Sequence, residues 1–298
     1  MSVPVAESES EPMPNAETLA WLREIVGDLP VEPMGVGANR LYTVGDLVLR
    51  VFHDAERLAR DPWYRPEQEA HTLRLLAETP VPAPELVAAR LAGAEPALLT
   101  TRVPGTPEPP ADPAVLMDRA AEVLAAIHAV DASGADLVEY ATYYDPAVDG
   151  ARTVPAWTTR PHVWQRMFAT LAEEPPPAVP GFIHRDFHGG QLLWLGEEIG
   201  GVVDWTTGCV GPRGVDLARM RLNLALTHGV AVAEEFLPAY AKASGRVAEH
   251  HPYWDLLDAG DALLDWPEPR TGAELVEWQR FEAWVGRAVR GALRLRLG

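Results

Sequence analysis

Cysteine, lysine and long apolar runs are nearly absent from this chain of 298 residues. Cys209 is the only cysteine, so the chain forms no internal disulfide and no cysteine-based zinc site. No run of 18 apolar residues is available to span a bilayer, and the N-terminal segment has neither the basic nor the apolar part of a secretory signal. We therefore expect a cytoplasmic protein.

Basic side chains are outnumbered, and almost all of them are arginine. There are 25 Lys and Arg residues against 43 Asp and Glu residues, which gives a formal net charge of −18. Such a chain repels nucleic acid and anionic lipid, which argues against both as partners. The charge is compatible with a cationic small molecule, although solubility alone explains most of it. Lys242, the only lysine, stands between two alanines, which excludes a Gly-Lys-Ser/Thr phosphate-binding loop.

Proline and apolar residues predict a small β-rich part followed by a larger, mostly helical part. Five prolines fall within residues 104–113, which favours a hinge there. The acidic, Pro- and Ser-rich start of the chain has little to bury and is expected to be disordered. We therefore predict a disordered tail, an N-terminal lobe, a hinge and a C-terminal lobe at residues 1–14, 15–103, 104–113 and 114–298.

Apolar periodicity predicts individual elements within these parts. Residues 41–44 and 47–52 are β-prone runs separated by Gly45-Asp46, which is a hairpin signal. Helical spacing predicts helices over 17–26, 66–78 and 114–130, and the pattern is helical again from 214 onward. Short strands are expected at 181–183, 192–195 and 201–204.

The segment "FIHRDFHGGQLLW", residues 182–194, carries the strongest chemical signal. Phosphoryl transfer from a nucleotide needs a carboxylate at the attacking hydroxyl, a second carboxylate and another oxygen donor for Mg²⁺, and a cation on the phosphates. Candidates for all four roles are present in this sequence: Asp186, Asp204, Gln191 and Arg50.

These residues lie in motifs that resemble a known family. "HRDFHGGQLLW" followed by "GVVDWTTGCVGPRGVDLARMRLNLA" is similar to the signature of the aminoglycoside phosphotransferase-like enzymes. "GVGANRLYTV", "LVLRVF", "EAHTLRLLAETPVPAPEL", "ALLTTRVPG" and "AAEVLAAIHAVD" resemble, in order, the family's nucleotide loop, third strand, C-helix with its connector, hinge and first large-lobe helix. The resemblance covers roughly residues 30 to 225. It implies a bilobal α+β, protein-kinase-like fold whose N-terminal lobe contains an antiparallel sheet and binds the nucleotide.

The resemblance also implies a role for each matching position. Asp186 corresponds to the catalytic base, and His188 could face the transferred phosphate. Gln191 and Asp204 correspond to the Mg²⁺ ligands. Roles at the ATP or GTP site are implied for Gly35, Gly37, Asn39, Arg50, Glu69, Thr101 and Val103. Glu69 would pair with Arg50. Thr101 and Val103 would offer backbone groups to adenine. His184 and Asp216 would support the catalytic loop.

Two positions depart from the family pattern. Gln191 stands where Asn is usual; it has the same amide on a chain one methylene longer, so it can still ligate Mg²⁺. Arg50 stands where protein kinases have Lys, and a guanidinium can still hold phosphates. Either departure is also compatible with a catalytically inactive nucleotide-binding or ligand-sensing module.

Acidic residues form a stripe near the C-terminus. Asp255, Asp258, Asp261 and Asp265 follow helical spacing, and Leu256, Leu257, Leu263 and Leu264 fall on the other side. One hypothesis is that this face lines the cleft and binds a cationic, aminoglycoside-like substrate. The alternative, which we prefer, is a solvated acidic face.

Other assignments explain fewer of these features. A metal site made of His184, Asp186 and His188 leaves Asp204 and Arg50 without a role. A protein kinase is disfavoured because only seven residues separate Asp204 from Pro212 and no Ala-Pro-Glu follows. The sequence therefore predicts a small-molecule kinase, monomeric or homodimeric, that transfers the γ-phosphate of ATP or GTP to a hydroxyl of an aminoglycoside-like molecule or of a choline-, sugar- or macrolide-type alcohol.

Overall fold

A computed structural model describes residues 13–36, 39–61, 63–144, 149–248, 250–265 and 272–297. Within these residues the chain divides into two compact units. The first comprises the residues up to Val103 together with Asp204–Thr207, and the second comprises Pro104–Val203 and the residues from Gly208 onward. Of the predicted disordered tail, residues 1–12 lie outside the described part of the chain.

The first unit is built on one antiparallel sheet with the strand order β1-β2-β3-β5-β4. Its strands are β1 Val31–Val36, β2 Arg40–Val44, β3 Leu47–Val51, β4 Leu86–Arg90 and β5 Ala97–Thr101. The predicted hairpin is β2–β3, in which Val44 pairs with Leu47 and Gly45 adopts a φ of 59° that suits glycine. One face of the sheet is buried, with a cluster that includes Tyr42, Leu49 and Leu99.

Three helices complete this unit: α1 Ala16–Val26, α2 Ala55–Arg60 and α3 Pro66–Leu76. Asn15 caps α1 by accepting a hydrogen bond from the Thr18 main-chain N–H at 2.8 Å. Pro66 occupies the first turn of α3, where its missing N–H leaves no helical hydrogen bond unmade. The short 3₁₀ turn Trp205–Thr207 packs against α3, which explains why this segment belongs to the first unit.

The second unit is mostly helical. Its helices are α4 Pro113–His128, α5 Pro161–Leu171, α6 Gly214–Thr227, α7 Val230–Ser244, α8 Pro252–Asp265 and α9 Gly272–Leu297. Helix α6 packs against α7, α8 and α9 and is buried over most of its length. Among the described helices none is long and apolar enough to cross a bilayer.

Two small antiparallel sheets lie in the second unit. Strand β6 Pro180–Ile183 pairs with β9 Cys209–Pro212, and β7 Leu192–Leu195 pairs with β8 Glu198–Val202. Strands β7 and β8 thus form a hairpin whose turn is Gly196-Glu197. The segment that contains Asp186 connects β6 to β7.

The mixed α+β fold class with an antiparallel sheet is confirmed, and the predicted helices begin and end within two residues of the observed ones in the described part of the chain. Helices α2 and α5 and strands β1, β4 and β9 were not predicted. Each of them is short, and prolines interrupt the apolar pattern beside α5 and within β9.

Candidate active site

Backbone strain is concentrated at two positions. Among the described residues, Arg185 and Asp204 are the only non-glycine residues with positive φ, at 72° and 62°. Residues other than glycine rarely adopt this conformation, and proteins that retain it do so most often at functional sites. One of these residues immediately precedes Asp186 and the other is the candidate metal ligand.

Asp216 holds the strained loop in place. It is fully buried near the start of α6 and accepts hydrogen bonds from the main-chain N–H groups of His184, at 2.8 Å, and Arg185, at 2.7 Å. His128 Nε2 lies 3.1 Å from the same carboxylate. One buried side chain thus satisfies two backbone donors and fixes the main chain just before Asp186.

His184 lies beneath the loop. It is fully buried, and its Nε2 is 3.0 Å from the carbonyl oxygen of Val203. Its ring contacts Phe187 edge-on, with centroids 6.1 Å apart. The described residues contain no cluster of three or more His, Cys, Asp or Glu side chains arranged for a metal ion, so the alternative of a site made of His184, Asp186 and His188 gains no support.

Asp186 receives a donor on each carboxylate oxygen. Arg219 Nε donates to Oδ1 at 2.8 Å, and Gln191 Nε2 donates to Oδ2 at 3.0 Å. Burial favours the neutral acid, but the nearby His188 and the charge of Arg219 outweigh it and hold the pKa of Asp186 well below its ordinary value. Asp186 is therefore an ionised carboxylate with 26% of its side chain exposed.

The orientation of His188 follows from its neighbours. Gly190 N–H donates to His188 Nδ1 at 3.1 Å, so the proton of a neutral ring is carried by Nε2. That nitrogen lies 3.7 Å from Asp186 Oδ2. A Cβ at position 190 would come within 2.8 Å of the imidazole ring, which explains the need for glycine there.

Helix α6 presents three polar side chains to this loop, and two of them were missed from sequence. The first two are Asp216 and Arg219. The third is Asn223, whose Oδ1 accepts a hydrogen bond from the Gly189 N–H at 3.2 Å. Their spacing of three and four residues places them on one helical face. That pattern was visible in "GVDLARMRLNLA" and could have indicated a face directed at the catalytic loop.

In the first unit, Arg50 on β3 contacts two acids. Its Nε lies 3.4 Å from Glu69 Oε1 on α3, and its Nη1 donates to Asp204 Oδ1 at 3.0 Å. Burial works to lower the pKa of Arg50, but the two carboxylates raise it above its ordinary value. Arg50 is thus a charged guanidinium that Glu69 of α3 helps to hold in place. Its contact with Asp204 was not predicted.

The implied Mg²⁺ ligands have suitable donor chemistry. A carboxylate and an amide oxygen are ligands that Mg²⁺ prefers. The Asp204 side chain is 39% exposed, and its Oδ1 also accepts from Thr206 Oγ1 at 2.9 Å. Gln191 donates to Asp186 through its NH₂ group, and its amide oxygen is the atom that would ligate a metal ion. Each of the two residues therefore offers an oxygen donor whose chemistry suits Mg²⁺.

The predicted nucleotide contacts are placed as follows. Gly35 lies in β1 beside a register shift and pairs with Leu41. Asn39 is 6% exposed, and its buried Oδ1 has no hydrogen-bond partner in the described part of the chain. Gly37 lies outside the described residues. Thr101 ends β5, and Val103 is the last residue of the unit before Pro104.

The structure limits what Thr101 can offer to adenine. Its main-chain N–H donates to the Glu85 carbonyl at 2.9 Å, and its hydroxyl accepts from the Glu85 N–H, also at 2.9 Å. A hydrogen bond from the Thr101 N–H to a base is therefore incompatible with this pairing.

The acidic stripe on α8 is not a solvated face, which corrects the expectation we preferred. Asp255 is only 3% exposed; its Oδ2 is 2.6 Å from Arg221 Nη1, and His250 Nε2 is 2.9 Å from its Oδ1. Because it is enclosed in a buried ion pair, Asp255 does not belong to a substrate-binding surface. This pairing could not be predicted from sequence, because it depends on Arg221 of α6.

The next two acids of the stripe also have arginine partners. Asp258 Oδ1 lies 3.8 Å from Arg219 Nη1, and Asp261 Oδ1 lies 3.4 Å from Arg152 Nη2. Burial raises the pKa of Asp258 to about 7 and that of Asp261 to about 6, and the arginines only partly oppose this. The side chain of Asp265 lies outside the described residues.

Solved structures share this architecture over nearly the whole chain. The amicoumacin kinase hAmiN, in complex with AMP-PNP, Ca²⁺ and Ami, is 16% identical with a TM-score of 0.62, and the match covers 92% of this chain and 94% of that one. A thermostable mutant of aminoglycoside phosphotransferase APH(4)-Ia, in ternary complex with ADP and hygromycin B, is 19% identical with a TM-score of 0.59, covering 92% and 97%. The aminoglycoside phosphotransferase APH(3'')-Id from Streptomyces rimosus is 16% identical with a TM-score of 0.57, covering 84% and 98%.

The fold is thus that of the kinase-like small-molecule phosphotransferases. A model of the phosphotransferase enzyme family matches residues 37–259, more than half of the chain. The chain therefore belongs to the phosphotransferase enzyme family, which confirms the family and the enzyme class expected from its sequence.

One curated relative matches a shorter stretch. The 3-carboxy-cis,cis-muconate cycloisomerase of Pseudomonas aeruginosa is 33% identical over 104 residues, which is 35% of this chain and 22% of that protein. The chain thus spans about a fifth of that relative, and this match assigns no activity to it.

Proposed function

We propose that this protein transfers the γ-phosphate of ATP or GTP to a hydroxyl group of a small molecule, with Asp186 as the catalytic base. The observation that carries the proposal is the state of Asp186, whose ionised form is favoured by Arg219 and His188 on a loop that Asp216 holds. Each carboxylate oxygen accepts one donor and retains a second lone pair. An acceptor hydroxyl can therefore bond to Asp186 without displacing either donor.

The donor side of the reaction is assigned to residues 15–103, followed by a hinge at 104–113 and a catalytic lobe at 114–298. Arg50, held by Glu69, would contact the phosphates, and the buried amide of Asn39 beside the Gly35–Gly37 segment supports a nucleotide role. Mg²⁺ held by Asp204 and Gln191 would neutralise charge on the phosphates. Dependence on a nucleoside triphosphate fits a cytoplasmic enzyme.

The acceptor is proposed to be a hydroxyl-bearing cation of the aminoglycoside type. Support comes from Asp258, whose pKa is raised to about 7 by burial and by the nearby charges of Asp261 and Asp186. An ammonium group close to these acids would relieve their repulsion. Two proteins of similar fold are described in complex with hygromycin B and with Ami, respectively. Because each described acid of the stripe already has an arginine partner, the attraction available to a cation is smaller than the sequence suggested.

Turnover across an acceptor panel tests the proposal. Aminoglycosides, choline, sugars and macrolides would be supplied with ATP or GTP and Mg²⁺, and nucleoside diphosphate release would be measured. We expect Asp186→Asn to reduce kcat by about 10³-fold or more, since it removes the base, while the exposed control Asp118→Asn keeps wild-type activity. Turnover that survives in Asp186→Asn would exclude the mechanism.

A second candidate is an inactive nucleotide-binding module. The contact between Arg50 and Asp204 favours it, because a cation already occupies one oxygen of the candidate metal ligand. Thermal shift with ATP, with and without Mg²⁺, distinguishes the two. Stabilisation that needs no Mg²⁺, combined with no turnover on any acceptor, would support the module.

A further inference from the structure

A second concave site lies within the second unit, and its lining includes neither Asp186 nor Gln191. It is a cavity of ≈ 520 Å³ bounded by the end of α4, residues 129–133, strand β6 and helix α7. This volume lies in the range of cavities that hold small molecules. Val130 and Val210 supply apolar wall, while Arg213 and Arg246 supply positive charge.

The two arginines of this cavity lack acidic partners. Neither Arg213 nor Arg246 forms an ion pair with a carboxylate in the described part of the chain, whereas Arg219 and Arg221 on the adjoining helix both do. Arg213 donates from Nη2 to the His128 carbonyl at 3.0 Å, but its buried Nε has no acceptor among the described residues. A buried guanidinium N–H without an acceptor costs free energy, and a bound oxyanion would accept a charge-assisted hydrogen bond from it.

Both arginines line the cavity together with Tyr240. Arg213 packs on strand β6, where a Cβ at Gly181 would lie 3.2 Å from its Nε. Burial raises the pKa of Tyr240, and the charges of Arg213 and Arg246 both oppose that rise. Arg213 is partly buried, whereas Arg246 is exposed at the cavity.

The one carboxylate in the lining does not neutralise them. Asp131 accepts a hydrogen bond from the Ser133 N–H at 2.9 Å, and the hydrogen bonds of Ser133 account for the lowered pKa of Asp131. In a chain with 43 acidic residues, neither arginine of the cavity is paired with a carboxylate of the described residues.

We propose that this cavity binds a small anionic molecule: an apolar body that carries one phosphate or carboxylate group. The oxyanion contacts Arg213 and Arg246, and the body packs against Val130 and Val210. Tyr240 connects the site to the catalytic loop, because its hydroxyl lies 2.7 Å from His128 Nδ1 and His128 contacts Asp216. The inference concerns binding and does not depend on the acceptor of the phosphotransferase reaction.

Binding of three matched probes to the full-length protein tests the inference. Phenyl phosphate, benzoate and neutral benzyl alcohol would be titrated by ligand-observed NMR in the presence of saturating ATP and Mg²⁺. We expect saturable, millimolar binding of at least one anion and none of the alcohol. Comparison of phenyl phosphate with benzoate identifies the preferred oxyanion.

Two variants and one control locate the bound probe. Arg246→Ala should weaken the preferred anion about tenfold, since it removes a charge-assisted contact, and Ala125→Leu should weaken it by narrowing the cavity. Arg166→Ala removes an exposed arginine of α5 that does not line the cavity and should leave binding unchanged. Thermal unfolding of each variant confirms that it folds. If neither anion saturates, or if Arg246→Ala and Arg166→Ala bind alike, the inference is wrong.

Discussion

Arg219 and Asp186 form a hydrogen-bonded ion pair, with 2.8 Å between Arg219 Nε and Asp186 Oδ1. The guanidinium also approaches Asp258, at 3.8 Å. Arg219 therefore stabilises the charge of the proposed base and partly offsets that of an acid on α8. Its position on α6, three residues after Asp216, lets one helix support the catalytic loop and set the charge of its central residue.

Arg219→Ala should move the acid limb of the pH profile to higher pH. Without Arg219, burial and the neighbouring carboxylates raise the pKa of Asp186, so protonation inactivates it at a higher pH than in the wild type. The measurement is kcat/KM from the lowest pH at which both proteins stay folded up to neutral pH. Arg219→Lys keeps the positive charge and should retain a profile close to the wild type. An unchanged acid limb in Arg219→Ala would show that Arg219 does not control this pKa.

Asp216→Ala should unfold the protein at lower urea and abolish turnover. The substitution leaves the main-chain N–H groups of His184 and Arg185 buried without an acceptor, at about 1 to 3 kcal/mol each. It also releases the strained backbone of Arg185. Asp216→Asn keeps one acceptor oxygen and should lose less stability. The exposed Asp118→Ala serves as control, and equal urea midpoints for the two alanine variants would contradict this role.

Asp255→Ala should reduce stability without a direct effect on acceptor binding. It leaves Arg221 buried without its carboxylate partner, for which the expected loss is about 3 to 5 kcal/mol in the free energy of unfolding. Asp261→Asn, by contrast, should raise KM for a cationic acceptor and leave stability closer to the wild type. Urea unfolding and acceptor KM are measured for both variants. A raised KM with unchanged stability in Asp255→Ala would show that Asp255 contributes to acceptor binding after all.

Gln191→Ala should increase the Mg²⁺ concentration needed for half-maximal activity. Loss of a ligand or of the residue that orients one weakens metal binding about 10- to 100-fold. Gln191→Asn retains the amide and should stay within a few-fold of the wild type, as the family pattern implies. Gln165→Ala, on the exposed side of α5, is the control. If Mg²⁺ activation is identical in Gln191→Ala and the wild type, Gln191 is not a metal ligand.

Local pattern was sufficient for the elements and for the catalytic segment. The β2–β3 hairpin follows from two β-prone runs around Gly45, and α4 follows from apolar spacing after Asp112. Residues in "HRDFHGGQ" could be singled out because their chemistry and spacing are contiguous in the chain. Helix α5 was missed because its apolar pattern is short and lies among prolines, so it could not be distinguished from the sequence of a loop.

Partners distant in sequence could not be predicted. The stripe on α8 has the same spacing whether it faces water, a substrate or another helix, and only the packing of α8 on α6 places Arg221 against Asp255. Arg219 likewise gave no signal by itself, since an arginine on a helix is ordinarily a solvated residue.

The amino-acid sequence by itself determined the fold class, the family and the position of Asp186, because these depend on composition, periodicity and contiguous motifs. Only the tertiary structure decided which charges meet: Asp186 with Arg219, Asp255 with Arg221, and Arg50 with Asp204. The physical reason is that an ion pair depends on distance and burial, which are set by how elements pack. Packing likewise left Arg213 and Arg246 beside a cavity in which no carboxylate of the described residues pairs with them.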